Sequence, residues 1–104
     1  MTGYDFHPEA AIDLEEIWDF IAEDNLAAAD RVIEDILARV SAVVPFPKQG
    51  HKRTDLTSRS LRFIQARYYL IAYAPDEKPL WVVAVIHGRR SPRIMGAILA
   101  GRAG

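Results

Sequence analysis

Apolar side chains in the first half of the chain recur with a helical period. Leu14, Ile17, Trp18 and Ile21 stand at i, i+3, i+4 and i+7, one apolar stripe on a helix running from Glu9 to Asp24. Pro8 suits the first helical position, where its missing N–H costs nothing, and Glu9 suits the positive end of the helix dipole. The opposite face carries Asp13, Glu15, Glu16, Asp19 and Glu23, which the period assigns to solvent. Asn25 is placed to end this helix or to cap the next. Ala29, Val32, Ile33, Ile36, Leu37, Val40 and Val43 (or Val44) then keep the same spacing until Pro45, with Pro47 and Gly50 marking a turn. So short a connection forces the two helices into an antiparallel hairpin. Leu14, Ile17, Trp18, Ile21, Val32, Ile33, Ile36 and Val40 are expected to bury against the rest of the fold.

Elsewhere the pattern is that of strands. Tyr4-Asp5-Phe6-His7 alternates and predicts a short first strand. Leu61 to Gln65 predicts a second and Tyr68 to Tyr73 a third, with Tyr69 and Tyr73 on one face and Tyr68 on the other. Pro75 to Pro79 is a turn, and Leu80 to Ile86 is apolar at every position, which marks a strand covered on both sides. Short links make the last three strands an antiparallel meander. Gln49 to Ser60 is polar, basic and aperiodic, a loop long enough to be a functional candidate. Ile94 to Ala100 allows a short C-terminal helix. The order β-α-α-β-β-β gives an α+β fold, a two-layer sandwich with the helical hairpin packed on a mainly antiparallel sheet. One domain is expected to span residues 1–104.

Composition narrows the chemistry. The chain has no cysteine, which excludes a disulfide scaffold, a thiol nucleophile and a Cys-ligated metal. No apolar run approaches the ~18 residues of a membrane span and no apolar segment follows the N-terminus, so a soluble cytoplasmic protein without membrane partners is expected. The net charge of −1 hides a sharp division. Residues 1–47 hold two arginines against eleven acids, a net −9, whereas residues 48–104 hold eleven Lys and Arg against three acids, a net +8. One acidic and one basic surface are expected on the same domain.

Most catalytic patterns are missing. His7, His51 and His87 show no helical metal-ligand spacing, no serine sits in a G-x-S-x-G elbow, and no glycine-rich turn opens a helix. No metal and no cofactor are expected. Trp18 and Trp81 sit in apolar patterns and read as core anchors. The basic residues carry the strongest signal. Lys52 and Arg53 lie in the long loop, Arg62 on the second strand, Arg67 at the turn into the third, and Arg89, Arg90 and Arg93 after the last. A meander can bring such positions to one rim, where guanidinium forks suit phosphate or carboxylate. His87, at a strand end, is placed to act as acid or base on a docked substrate.

Two stretches carry a family likeness. Ala11-x-Asp13-Leu14-x-x-Ile17-Trp18-x-Phe20-Ile21-Ala22-Glu23-Asp24-Asn25, followed by Ala28-Ala29-Asp30-Arg31-Val32-Ile33, resembles the helical hairpin of the RelE/ParE toxin superfamily. Arg67-Tyr68-Tyr69-Leu70-Ile71-x-Tyr73 and Val85-Ile86-His87-Gly88-Arg89-Arg90 resemble the end of that domain, nearest its ParE-like branch. The resemblance implies the toxin of a bacterial type II toxin–antitoxin module, of the kind linked to plasmid stabilisation and growth arrest. It implies neutralisation by a ParD-type antitoxin and inhibition of DNA gyrase by binding rather than by catalysis. On this reading Arg62, Arg67, His87, Arg89, Arg90 and Arg93 contact the target, and Trp18, Arg53, Tyr69 and Tyr73 contact the antitoxin. Two alternatives stay open. One is a RelE-like ribosome-dependent mRNA endonuclease, in which His87 would be catalytic and nucleic acid bound directly. The other is an inactive, toxin-derived interaction domain. The tail beyond Tyr73 has no tyrosine, and the chain lacks the strong net positive charge of the ribosome-bound members.

Overall fold

The computed structural model of the chain describes residues 3–102. Strand β1 (Tyr4–Phe6) leads into helices α1 (Pro8–Ala22) and α2 (Leu26–Val43). After a 3₁₀ turn at Pro47–Gln49 come β2 (Arg62–Ala66), β3 (Tyr69–Ala74), β4 (Leu80–His87) and α3 (Pro92–Gly101). Local capping explains the helix starts. His7 Nδ1 accepts the Glu9 N–H at 3.0 Å, Asn25 Oδ1 accepts the Ala28 N–H at 2.9 Å, and Ser91 Oγ accepts the Ile94 N–H at 3.2 Å. Asn25 therefore caps α2 from an extended backbone, φ −159°, rather than closing α1 in a left-handed one.

The sheet order is β1-β4-β3-β2, with β1 parallel to β4 and the other pairs antiparallel. The meander and the hairpin are as the pattern predicts. One detail was not legible. Ala72 pairs with Ala84 but Tyr73 pairs with Val82, so Val83 is an extra residue in β4. Such a bulge shifts the side-chain alternation by one. Leu80 and Val82 face the hairpin before it, Val85 after it, and His87 follows Val85 onto that face.

Two cores result. The hairpin packs Val32, Ile36, Val40 and Val43 onto Ile64, Tyr69, Ile71, Tyr73, Val82 and Val85, with Leu14, Ile17, Ile21 and Ile33 partly buried at its margin. The opposite face buries Phe63, Ala72, Val83 and Ile86 under Leu56 from the long loop, Leu61 just before β2, and Met95 and Leu99 from α3. The 49–60 segment is thus a cover for the second face. His51 bridges Phe63 through two backbone hydrogen bonds, 2.9 and 2.8 Å, and Leu56 is buried.

Neither tryptophan is a fully buried anchor. Trp81 packs at the margin of the second core, and half-buried Trp18 donates its indole N–H to Asp30 Oδ1 at 2.9 Å, tying α1 to α2. Asp13 also departs from expectation, because it is not solvated. Its carboxylate accepts the Val85 N–H at 2.9 Å and both Nη groups of Arg102, with side-chain exposures of 14% for Asp13 and 12% for Arg102. Since β1 ends at Phe6, the β4 edge beyond Val82 lacks a strand partner. Asp13 accepting from Val85 and Arg102 donating to the Val83 carbonyl at 3.1 Å satisfy that edge instead. Arg59 caps the end of α3 through the Leu99 and Arg102 carbonyls at 2.9 and 2.8 Å. No helix among the described residues is long and apolar enough to cross a membrane.

Candidate functional site

Ala66 pairs with Tyr69, so Arg67 and Tyr68 alone form the turn between β2 and β3. Arg67 adopts φ 53°, a left-handed conformation uncommon for a residue with a Cβ. It is held there by an ion pair to Asp35 on α2 and by the Gln65 amide, which donates to its carbonyl at 2.9 Å. The turn throws Tyr68 outward, leaving it 73% exposed. Tyr68 lies parallel to the His87 ring, 6.3 Å between centroids and 9° between planes, while Tyr69 meets the same imidazole edge-on at 5.3 Å. The Gly88 N–H donates to the Tyr68 carbonyl at 2.7 Å and locks the turn to the end of β4.

His87 is itself fixed. Its Nδ1 accepts the Arg89 N–H at 3.0 Å, so the neutral ring carries its proton on Nε2. The imidazole therefore offers a donor outward, not a lone pair ready to abstract a proton.

The arginines sort by partner. Arg39 donates to the Gln65 carbonyl at 3.0 Å and Arg62 to the Gly50 carbonyl at 2.9 Å. Arg53 forms a two-pronged pair with Asp55 at 2.9 and 2.8 Å. That contact raises the Arg53 pKa and lowers that of Asp55. Arg59, Arg67 and Arg102 are engaged as described above. Among the arginines of the described residues, only Arg31 on α2 and Arg89, Arg90 and Arg93 have side chains with no hydrogen bond or ion pair. The last three are exposed and lie within five residues of one another. Arg90 borders a cavity of about 270 Å³ shared with Tyr68, Gln65, Gly88 and Pro92, and a smaller one of about 150 Å³ shared with His87, Tyr69 and Glu16.

The expected single rim is thereby divided. His87, Arg67, Arg89 and Arg90 gather at one end of the sheet, and Arg93 follows on the first turn of α3. Arg62 does not join them. It pairs in register with Tyr73, at the far end of β2, because a strand running antiparallel to its neighbour separates its own two termini.

Two of the four residues assigned to antitoxin contact are also displaced. Tyr73 is completely buried, its hydroxyl donating to the Pro47 carbonyl at 2.7 Å and accepting the Gly50 N–H at 3.0 Å. Tyr69 is buried in the same core, and burial pushes both phenols up from their ordinary pKa. The Tyr73 ring is closed to a partner, whereas Tyr69 still borders the two small cavities beside His87 and Arg90. Trp18 and Arg53 keep part of their surface exposed. A further apolar cavity of about 590 Å³ lies at this far end, between Tyr4, Val44, Pro47, Pro79 and Leu80. No group of three metal-ligating side chains occurs among the described residues.

Sequence reasoning missed Tyr68 as a surface residue, having placed it inside the third strand. The available signal was Arg67-Tyr68 between two apolar runs, which fits a two-residue hairpin turn. A family model described as the ParE toxin of the type II toxin–antitoxin system, parDE, matches residues 4–92, closing at the first residue of α3. No curated protein matches the chain significantly.

Proposed function

The chain belongs to the ParE toxins of type II toxin–antitoxin systems, and from that premise we propose that it arrests bacterial growth in the cytoplasm by binding and inhibiting DNA gyrase. A ParD-type antitoxin neutralises it, and the module serves plasmid stabilisation. The working surface is the rim formed by Tyr68, His87, Arg89, Arg90 and Arg93. The observation that carries this is the partner census. Three arginines kept free of intramolecular partners, two in the turn after β4 and one in the first turn of α3, are available to bind anionic groups, and guanidinium forks do so with two parallel hydrogen bonds.

The engaged Nδ1 of His87 argues against that atom as a general base, while the reading of a binding inhibitor rests on the free arginines. Trp18 and Arg53 remain as antitoxin contacts, Trp18 as a partly exposed aromatic on the hairpin.

Induced expression, read in parallel by growth, transcript profiling and a gyrase supercoiling assay on the purified chain, tests the proposal. Growth arrest with intact transcripts and blocked supercoiling is expected, reversed by co-expression of the antitoxin. Cleaved transcripts with normal supercoiling would instead assign a ribosome-dependent nuclease. Normal growth would assign an inactive interaction domain.

A further inference from the structure

We propose that Tyr68, parallel to His87 beside it, is a platform for one unpaired base of a single-stranded nucleic acid, with Arg89, Arg90 and Arg93 on the flanking phosphates. This rests on the reading of that rim as the working surface and adds the chemistry it recognises.

The His87 imidazole lies nearly parallel to the Tyr68 ring, at 9° and 6.3 Å between centroids, offset beside it rather than over its face. At 73% exposure the ring also offers a planar apolar face to solvent. Exposing such a face costs hydrophobic free energy, and nothing intramolecular covers it. A nucleobase is a planar π partner that suits it, and base–aromatic stacking is indifferent to sequence. The platform is rigid before a ligand arrives. Its backbone carbonyl is held by Gly88 at 2.7 Å, Arg67 beside it is paired with Asp35, and a tyrosine has few rotamers to lose.

Anion recognition is adjacent. Arg90 borders the same cavity of about 270 Å³ as Tyr68, and Arg89 and Arg93 flank it along the chain. An acidic peptide would use the arginines and leave the ring idle. A duplex would use the arginines too, but its bases are already stacked inside. A strand with an accessible base uses both features. The chain's net charge of −1 gives no general attraction for nucleic acid, so recognition has to be local to this rim.

Fluorescence anisotropy with the purified full-length chain tests this, using labelled dT12 and rU12 strands, a DNA duplex of equal length, and polyglutamate as competitor. The strands should bind more tightly than the duplex, and polyglutamate, which engages the arginines alone, should compete only weakly. A preference for dT12 assigns DNA and one for rU12 assigns RNA. Tyr68→Ala should weaken strand binding about tenfold while Tyr68→Phe keeps it, as stacking without a role for the hydroxyl requires. Changing Arg89, Arg90 and Arg93 together to Gln should reduce the slope of log affinity against log salt by about 2. Equal binding of duplex or polyglutamate, an unchanged affinity in Tyr68→Ala, or no strand binding at low salt would overturn the proposal. A chain that blocks supercoiling yet binds no strand would sink this inference alone and leave the proposed toxin activity standing.

Discussion

The two ends of the sheet carry the same residue types and use them differently. Around Gly50, Tyr73 is buried with its hydroxyl between the Pro47 carbonyl and the Gly50 N–H, and Arg62 donates to the Gly50 carbonyl. Around His87, Tyr68 stands in solvent and Arg89, Arg90 and Arg93 have no partner. The Gly50 end thus engages its tyrosine and arginine, while the His87 end, beside the engaged Tyr69 and Arg67, leaves Tyr68 and three arginines available. Residue type does not separate the two roles; the presence of an intramolecular partner does. Disrupting the engaged groups should therefore cost stability, and disrupting the free ones should cost function.

The largest loss is expected where a charge is nearly buried. Asp13→Ala strands Arg102 without its carboxylate and leaves the Val85 N–H unsatisfied, which should cost about 3 kcal/mol in urea denaturation. Replacing both Asp13 and Arg102 by Leu should recover most of it, because the desolvation penalty goes with the charges. A loss under about 0.5 kcal/mol for Asp13→Ala would show that the pair does not hold the β4 edge.

Next come the two residues of the hairpin stripe. Ile36→Ala opens a cavity in a completely buried site and should cost about 3 kcal/mol. Trp18→Phe removes only an exposed hydrogen bond to Asp30 and should cost about 1 kcal/mol or less. Equal losses would mean that the stripe faces the core uniformly, as its spacing alone suggests.

Tyr73→Phe leaves the buried Gly50 N–H without its acceptor, for about 1–2 kcal/mol. It also carries a pH signature. Burial raises the Tyr69 and Tyr73 pKa above the ordinary 10.0, so the unfolded chain ionises first. The stability due to these neutral phenols is complete below pH 10 and falls as pH rises through the folded-state values. Denaturation measured across that range should show a shallower alkaline decline in Tyr73→Phe than in the parent. An identical decline in both would exclude Tyr73 as a source.

How much of this was legible follows from which signals are local. The helices and the meander were read from periodicity and turn residues, since each depends on neighbours in sequence, whereas of the caps only Asn25 was a candidate, and His7 and Ser91 were not. The Val83 bulge was invisible because Leu80 to Ile86 is apolar throughout and shows no alternation to break. The Asp13–Arg102 pair joins residues 89 positions apart, and periodicity could only assign Asp13 to the polar side of α1. Tyr73 and Tyr68 looked alike because a strand pattern gives the face of a side chain but not what covers it. The arginine rim was half readable. Arg89, Arg90 and Arg93 are contiguous enough to be found together, whereas separating Arg62 from them required the register of β2 on β3.

The smallest expected effect on stability is also the sharpest test. Changing Arg89, Arg90 and Arg93 together to Gln should alter unfolding free energy by under about 1 kcal/mol, because exposed, unpaired charges contribute little. Growth after induction of this variant, beside the parent chain and a variant with Arg62→Gln as a control from the engaged end, shows whether the free arginines are the toxic surface. Unchecked growth is expected for the triple variant at equal soluble protein, and full arrest for the parent and for Arg62→Gln. Full arrest by the triple variant would place the toxic surface elsewhere on the molecule.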